Sequence, residues 1–348
     1  MRRNIKMANR HFSSRAYWNE KAKEWSPLCT FQGESKEDWE NWKSNATKQL
    51  KSLLGEFPQK VDLMAEVEYS IEDGDLIRER IIFDSEEFAS VPCVLLRPIT
   101  MKNDRSNAAI ICCNGHPVNL GKDPVAGIRS TPEHDHQIAL MNYNFGEQMA
   151  KAGFLVIVPE LRGFGERNDT SGRVDACNIN YIKGSILGIY PQTLNIWDIK
   201  CCIDYLETRS EIDPERIGMM GLSYGGTMTA FTTAIEPRIK AANVMGYINP
   251  FAEFGIARGN FCGSQIVPEI YKYFDTHDIA GLIAPRPLLV DMGIYDECFF
   301  IQDLLKGYEG VQKIYAAAEA SDKLVADIHS HGHSFAGNKA FEFFKKNL

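Results

Sequence analysis

The chain has 348 residues, of which 44% are hydrophobic and 24% charged, and this ordinary globular composition excludes a disordered or fibrous protein. It contains 38 lysines and arginines and 46 acidic residues. The resulting net charge of −8 argues against nucleic-acid binding, which needs clustered cations. No apolar run approaches the ~18 residues of a membrane span, and the N-terminus lacks the apolar core of a secretory signal. Nine cysteines without a metal-knuckle spacing predict reduced thiols and a cytoplasmic location.

Residues 1–60 form a predicted helical extension ahead of a catalytic domain at 61–348. Ser35 and Asp38 have the spacing of a capping box, and apolar residues then recur on one helical face, beginning at Trp39. Exposed tryptophans would be unfavourable, so this helix is expected to dock on the main domain or on a partner. The sequence leaves open whether it docks in cis or across a homo-oligomer.

The main domain begins with period-2 patterning over 62–98, which predicts an antiparallel β-meander. Strands and helices alternate after it, and this predicts the α/β class, with a mostly parallel sheet covered by helices on both faces. The predicted strands are 108–113, 154–161, 216–222, 239–248, 285–293 and 323–328, and the predicted helices are 144–153, 195–209, 227–237 and 339–348.

Two polar stretches, 162–193 and 248–280, interrupt this alternation and are candidates for a substrate pocket. The charged loop 160–166 follows a predicted strand. It could line the mouth of the pocket, but a salt-bridged loop explains its charges more simply.

The run Gly-Leu-Ser-Tyr-Gly-Gly at 221–226 lies between a predicted strand and a predicted helix. A serine on such a turn is exposed by a strained backbone, and the helix N-terminus places a positive dipole beside its oxygen. The alternative is a glycine-rich turn with an incidental serine. The strand–turn–helix context favours Ser223 as a nucleophile.

A serine nucleophile needs a base and an orienting carboxylate, expected in the chain order Ser, Asp or Glu, His. Asp296 and His333 each follow a predicted strand, so both should lie at the carboxyl edge of the sheet. Asp291 is the alternative acid, although it lies within or at the tip of its strand. His329 and His331 are the alternative bases.

The three histidines alternate along an extended segment, so they could share one face and bind zinc. A zinc site would also want a fourth ligand and a supporting second layer of residues, and the sequence designates neither. No metal and no cofactor are therefore predicted.

The tetrahedral intermediate of ester hydrolysis needs two backbone N–H donors. Tyr224, directly after the nucleophile, should supply one of them. The other should come from the loop after the first parallel strand, where Gly115 permits a tight turn and the amide of His116 is the natural donor. Pro117 has no N–H and cannot serve.

Five runs carry a resemblance to a known family: NGHPVNLGKD, ELRGFGE, DYLETRSEIDPERIGMMGLSYGG, DIAGLIAPRPLLVDMGIYDECFF and GHSFAGNKAFEFF. Together they resemble the α/β-hydrolase superfamily over about residues 62–348, in particular its dienelactone-hydrolase-like and acetyl-xylan-esterase-like members. The resemblance implies an α/β-hydrolase fold with Ser223, Asp296 and His333 as the catalytic triad. Asn114 stands where the superfamily often has histidine. The elbow has serine where dienelactone hydrolases have cysteine, which argues against dienelactone hydrolysis.

The sequence thus predicts a serine esterase that cleaves a small-molecule carboxylic ester through an acyl-enzyme. One alternative is a peptidase of the same fold, but no β-propeller or other peptide-selecting module is visible. The other is a non-catalytic binding protein, which the intact order of the triad disfavours. The acyl and alcohol groups of the substrate and the oligomeric state are not predicted.

Overall fold

The computed structural model describes residues 12–116, 119–168 and 176–348. Three parts of the sequence predictions lie outside the described residues. They are residues 1–11 of the extension, Pro117 of the oxyanion loop and residues 169–175 of the first polar stretch.

The described residues contain one sheet of nine strands, in the spatial order β1-β2-β3-β5-β4-β6-β7-β8-β9. The pairs β1–β2, β2–β3 and β3–β5 are antiparallel, and the other five pairs are parallel. The predicted meander and the predicted, mostly parallel sheet are both confirmed. The strands are β1 Glu66–Asp73, β2 Leu76–Glu86, β3 Ala89–Pro98, β4 Asn107–Cys113, β5 Leu155–Pro159, β6 Ile212–Leu222, β7 Ile239–Met245, β8 Leu288–Gly293 and β9 Leu324–His329.

Helices cover both faces of this sheet, because alternate strand residues point to opposite sides. Ile111 of β4 belongs to the apolar cluster that contains Ile199, whereas its neighbour Ile110 belongs to the cluster that contains Met149 and Phe344. No helix among the described residues is long and apolar enough to cross a membrane. The helices are α1 Ser14–Lys23, α2 Lys36–Leu54, α3 Pro132–Met141, α4 Phe145–Lys151, α5 Ala176–Leu187, α6 Pro191–Thr208, α7 Tyr224–Ile235, α8 Ile270–Tyr273, α9 Thr276–Gly281, α10 Ile301–Ala317 and α11 Ala340–Asn347.

Helix α2 of the N-terminal extension docks on the main body of its own chain. The capping box that begins it is present, with Ser35 and Asp38 each accepting the other's backbone N–H. Ala46 and Leu50 are buried in the same apolar cluster as residues of α7 and α10, and Trp42 Nε1 donates to the carbonyl oxygen of Cys29 at 2.7 Å. The extension therefore contributes to the hydrophobic core. Its description as a separate unit stays a prediction.

The charged loop after β5 forms a network of ion pairs, as the sequence suggested. Glu160 is buried and bonds to Lys122, whose ammonium also contacts Glu166. Glu166 forms a bidentate pair with Arg80 of β2, at 2.7 and 2.8 Å. The hydrogen bond from Arg80, helped by Lys122 and opposed by burial, lowers the pKa of Glu166 to about 2. This network ties the loops after β4 and β5 to the antiparallel part of the sheet.

Candidate active site

The 221–226 run forms a sharp turn from β6 into α7, with Ser223 at its apex. Ser223 has φ 62° and ψ −114°, a left-handed conformation that residues with side chains rarely adopt. A Cβ at Gly225 would lie 2.1 Å from the carbonyl oxygen of Cys113, and one at Gly221 would lie 2.4 Å from the carbonyl oxygen of Gly225. Only glycine permits so close an approach, so strand and helix hold the serine in a strained turn at the carboxyl end of β6.

His333 and Asp296, on the loops after β9 and β8, form a hydrogen-bonded pair. The Nδ1 atom of His333 lies 2.8 Å from Oδ2 of Asp296. The Oδ1 atom of Asp296 accepts the N–H groups of Cys298 and Phe299, each at 2.8 Å. The ring of Phe299 stacks on the imidazole with a centroid distance of 5.4 Å and an interplanar angle of 17°. The carboxylate and the aromatic ring together fix the orientation of His333.

The alternative acid and the alternative base pair with each other instead. Asp291, within β8, and His329, the last residue of β9, are 2.6 Å apart at Oδ1 and Nε2, and both side chains are buried. The Nδ1 atom of His329 accepts the backbone N–H of His331 at 3.3 Å, so both of its ring nitrogens are engaged. Burial lowers the pKa of His329, but the bond to Asp291 and nearby carboxylates outweigh burial and raise it. This pair links two adjacent strands and leaves no ring nitrogen for substrate.

Ser223 and His333 approach the same point at the end of β7. The N–H of Ser223 donates to the carbonyl oxygen of Met245 at 2.9 Å. The next residue, Gly246, has φ 54°, and a Cβ there would lie 3.1 Å from Cε1 of His333. Gly246 therefore leaves space for the imidazole beside the elbow. Within the described ranges, no group, His333 Nε2 included, hydrogen-bonds to the Oγ of Ser223.

The loop after β4, which contains the predicted oxyanion donor His116, lies against the elbow. A Cβ at Gly115 would lie 3.0 Å from the Cβ of Ser223, and the N–H of Gly115 donates to the hydroxyl of Tyr143 at 2.5 Å. The N–H groups of His116 and Tyr224 donate to no group in the part of the chain that the structure describes. Two unpaired amides at the elbow are what an oxyanion hole requires.

The three histidines near the C-terminus do not gather into one ligand set, because His329 and His333 pair with different aspartates. Among the described residues, two other groups bring three donor atoms within 4.8 Å of one another. One is Asp296, Cys298 and His333, which includes the histidine–aspartate pair; the other is His116, Cys177 and Cys262.

Sequence reasoning missed several residues of this site. Gly246 and Phe299 contact His333, but the sequence places Gly246 in a predicted strand and Phe299 in one of the five family-like runs, and neither setting indicates the contact. Cys177 and Cys262 are 85 residues apart (262 − 177), and no pattern links them. A hydrogen bond from Cys262, aided by His116 and opposed by burial, lowers the pKa of Cys177 to about 5. The same bond, together with burial, raises the pKa of Cys262.

A cavity of about 910 Å³ lies between α1 and the segment 251–272. Neither Ser223 nor His333 lines it, but a chain of rings connects it to the histidine. Phe261 lies in the wall of the cavity, and its ring centroid is 4.5 Å from that of Phe254. The Phe254 ring in turn stacks on Phe299 with a centroid distance of 4.2 Å. Both polar stretches singled out in the sequence contribute to the cavity, through Tyr181 and through residues of 251–272. Its aromatic lining consists of Trp18, Trp25, Tyr181, Phe251, Phe261 and Tyr271.

Comparison with known proteins agrees with this architecture. The model of the Abhydrolase family matches residues 3–339. The "Putative hydrolase YtaP" of Bacillus subtilis is 26% identical over 314 residues, covering 86% of this chain and 98% of YtaP.

Two solved structures show the same fold. A "putative acetyl xylan esterase" from Bacteroides fragilis superposes with a TM-score of 0.76 at 16% identity, covering 93% of this chain and 84% of the other. A glucuronoyl esterase from Solibacter usitatus superposes with a TM-score of 0.66 at 14% identity, covering 92% and 97%. The expected α/β-hydrolase fold is confirmed.

Proposed function

The chain belongs to the Abhydrolase family, and we propose that it is a serine hydrolase of carboxylic esters that acts through Ser223, His333 and Asp296. The observation that carries the proposal is the oriented His333–Asp296 pair, 2.8 Å apart, beside a serine on a strained elbow. A base with a fixed tautomer is what converts a serine hydroxyl into a nucleophile.

In the first step, the Oγ of Ser223 attacks the ester carbonyl carbon while its proton passes to Nε2 of His333. The Nδ1–H of His333 donates to Asp296, which keeps Nε2 free as a base and stabilises the imidazolium that forms. The carbonyl electron pair moves onto oxygen, and the N–H groups of His116 and Tyr224 receive this oxyanion. The missing hydrogen bond between Oγ and Nε2 fits a site without substrate, where such contacts are often long.

The tetrahedral intermediate then collapses, and its bond to the leaving oxygen breaks. His333 returns the proton to that oxygen, which releases the alcohol and leaves the acyl group on Ser223. Water repeats the sequence: its proton goes to His333, it attacks the acyl carbon, and the proton returns to Oγ as the carboxylic acid departs. The cycle balances with ester and water as its only reactants.

The names of the solved neighbours, an acetyl xylan esterase and a glucuronoyl esterase, support an ester as the substrate. The aromatic cavity offers flat apolar surfaces that would suit one part of that ester. The choice of a small-molecule ester and the cytoplasmic location stay predictions.

A fluorophosphonate probe tests the proposal, because only an activated serine reacts with it. The probe should label the wild-type chain at Ser223, identified by peptide mass spectrometry, and the Ser223→Ala variant should not be labelled. The same variant should lose about 10³-fold or more of kcat on an aryl acetate. A matched control is Ser210→Ala at an exposed serine, which should behave as wild type. If Ser223→Ala keeps a tenth of the wild-type kcat, the proposal fails.

A further inference from the structure

We propose that His116, Cys177 and Cys262 form a binding site for a thiophilic divalent metal ion such as Zn²⁺, beside the ester-hydrolysing centre and not used in its chemistry. The three residues come from three separate segments: the oxyanion loop after β4, the first turn of α5 and the turn before residues Gly263–Gln265. Their donor atoms, one imidazole nitrogen and two sulfurs, all lie within 4.8 Å of one another.

The distance between two of these donors fits a tetrahedral ion, and the third donor lies within 4.8 Å of both. With a Zn–S distance of about 2.3 Å and a Zn–N distance of about 2.0 Å, tetrahedral geometry separates sulfur and nitrogen by about 3.5 Å and two sulfurs by about 3.8 Å. The Nε2 atom of His116 lies 3.6 Å from the sulfur of Cys177. The existing gap between these atoms therefore matches the edge of a metal tetrahedron. Two thiolates and an imidazole are also the ligands that zinc prefers.

Backbone groups near the two cysteines make contacts of the kind that surround metal-bound thiolates in other proteins. The N–H group of Gln265 bonds to the sulfur of Cys262. The hydroxyl of Ser264 donates to the carbonyl oxygen of Cys177 at 2.5 Å, which fastens the two segments to each other. Hydrogen bonds of this kind orient metal ligands and hold the negative charge of a thiolate.

The imidazole of His116 is also held in place. Its ring packs on those of Phe164 and Tyr224, with centroid distances of 5.4 and 5.6 Å. Its Nε2 atom lies on the side of Cys177. His116 and Cys262 are only partly buried, so an ion can reach the site from solvent. Three protein ligands leave a fourth position for water or another small ligand. An ion here would connect the oxyanion loop to both polar stretches that border the pocket.

Cobalt tests the site without any dependence on ester hydrolysis. The full-length chain, kept reduced with a phosphine and freed of metal by chelation, is titrated with Co²⁺ and then with Zn²⁺. We expect one Co²⁺ per chain, a sulfur-to-cobalt charge-transfer band with tetrahedral d–d bands, and displacement of both by Zn²⁺. A wild-type chain that gives no thiolate–cobalt band overturns the proposal, whatever its esterase activity.

Three variants locate the ion. Cys262→Ser, a near-isosteric change, should weaken Zn²⁺ binding by about 100-fold or more and reduce the charge-transfer band, because loss of a ligand exceeds the usual cost of losing a supporting residue. Cys29→Ser, at a partly exposed thiol outside the cluster, should bind as wild type. Cys298→Ser reports on the rival group around Asp296. If Cys298→Ser abolishes binding and Cys262→Ser does not, the proposed site is wrong. Circular dichroism spectra confirm that each variant is folded.

Discussion

Replacing the two candidate acids one at a time separates catalysis from stability. In Asp296→Asn, the N–H groups of Cys298 and Phe299 still need an acceptor at the place of Oδ1. Only the oxygen of the asparagine amide can accept them, so the oxygen must lie there. The NH₂ group then faces Nδ1 of His333, which must give up its proton to accept that donor. The imidazole proton moves to Nε2, and the base is lost. A wrong tautomer of this kind lowers kcat by about 10⁴-fold, equivalent to about 5.5 kcal/mol in the activation barrier.

Asp291→Asn should do the opposite. It breaks the buried pair with His329 between β8 and β9, which we expect to lower the free energy of unfolding by about 3 kcal/mol. The hydrogen bond between Asp296 and His333 is untouched, so kcat per folded molecule should stay within about threefold of wild type.

Steady-state hydrolysis of an aryl acetate and urea denaturation, run on both variants, measure the two quantities. For the wild type, the rate is divided by the concentration of serines that react with a fluorophosphonate. For each variant, the rate is divided by the concentration of folded protein. If Asp291→Asn loses more kcat than Asp296→Asn, the assignment of Asp296 as the orienting acid is refuted.

Three further outcomes are expected. Ester hydrolysis should survive prolonged dialysis against EDTA, since the serine mechanism uses no metal; a loss that added zinc restores would contradict this. Leu50→Ala should lower the free energy of unfolding in urea by about 3 kcal/mol, while exposed Lys51→Ala should change it little. Equal effects would show that α2 is not docked. Arg80 and Lys122 hold the pKa of Glu166 at about 2 instead of 4.5. Glu166→Gln should therefore lower the free energy of unfolding by its full amount above pH 4.5, and this difference from the wild type should disappear as the pH falls through about 2. Urea curves at pH 7 and pH 3 check this, and a loss independent of pH would count against the ion pairs.

The predictable part of this protein is the part governed by local pattern. The strands of the parallel sheet are short and apolar, and the elbow glycines are required by contacts as close as 2.1 Å, so both are visible in the sequence. The chain order of Ser223, Asp296 and His333 identified residues that the structure brings to one edge of the sheet. The pairing of Asp291 with His329 was not predictable, because it depends on the register of β8 against β9.

Helix α10 illustrates why other elements were missed. Its buried residues, Leu304, Val311 and Ile314, follow a helical period, but Gly307 and Gly310 interrupt the pattern as helix-weakening residues. In the structure, a Cβ at Gly307 would lie 2.0 Å from the carbonyl oxygen of Ile248. The glycine therefore serves tertiary packing rather than helix propensity, and a single sequence gives no indication of that contact.

Phe299 has a consequence for anyone who wishes to redesign this enzyme. Its N–H holds Asp296 while its ring holds His333, so the backbone and side chain of one residue position two partners. Two residues separate Asp296 from Phe299, so an insertion or deletion between them should break one of these two contacts. Phe254 stacks on the Phe299 ring and also contacts Phe261 in the wall of the cavity. Changes of side-chain size at Phe254 are thus the safer route for widening the pocket, because they leave the spacing of that loop intact.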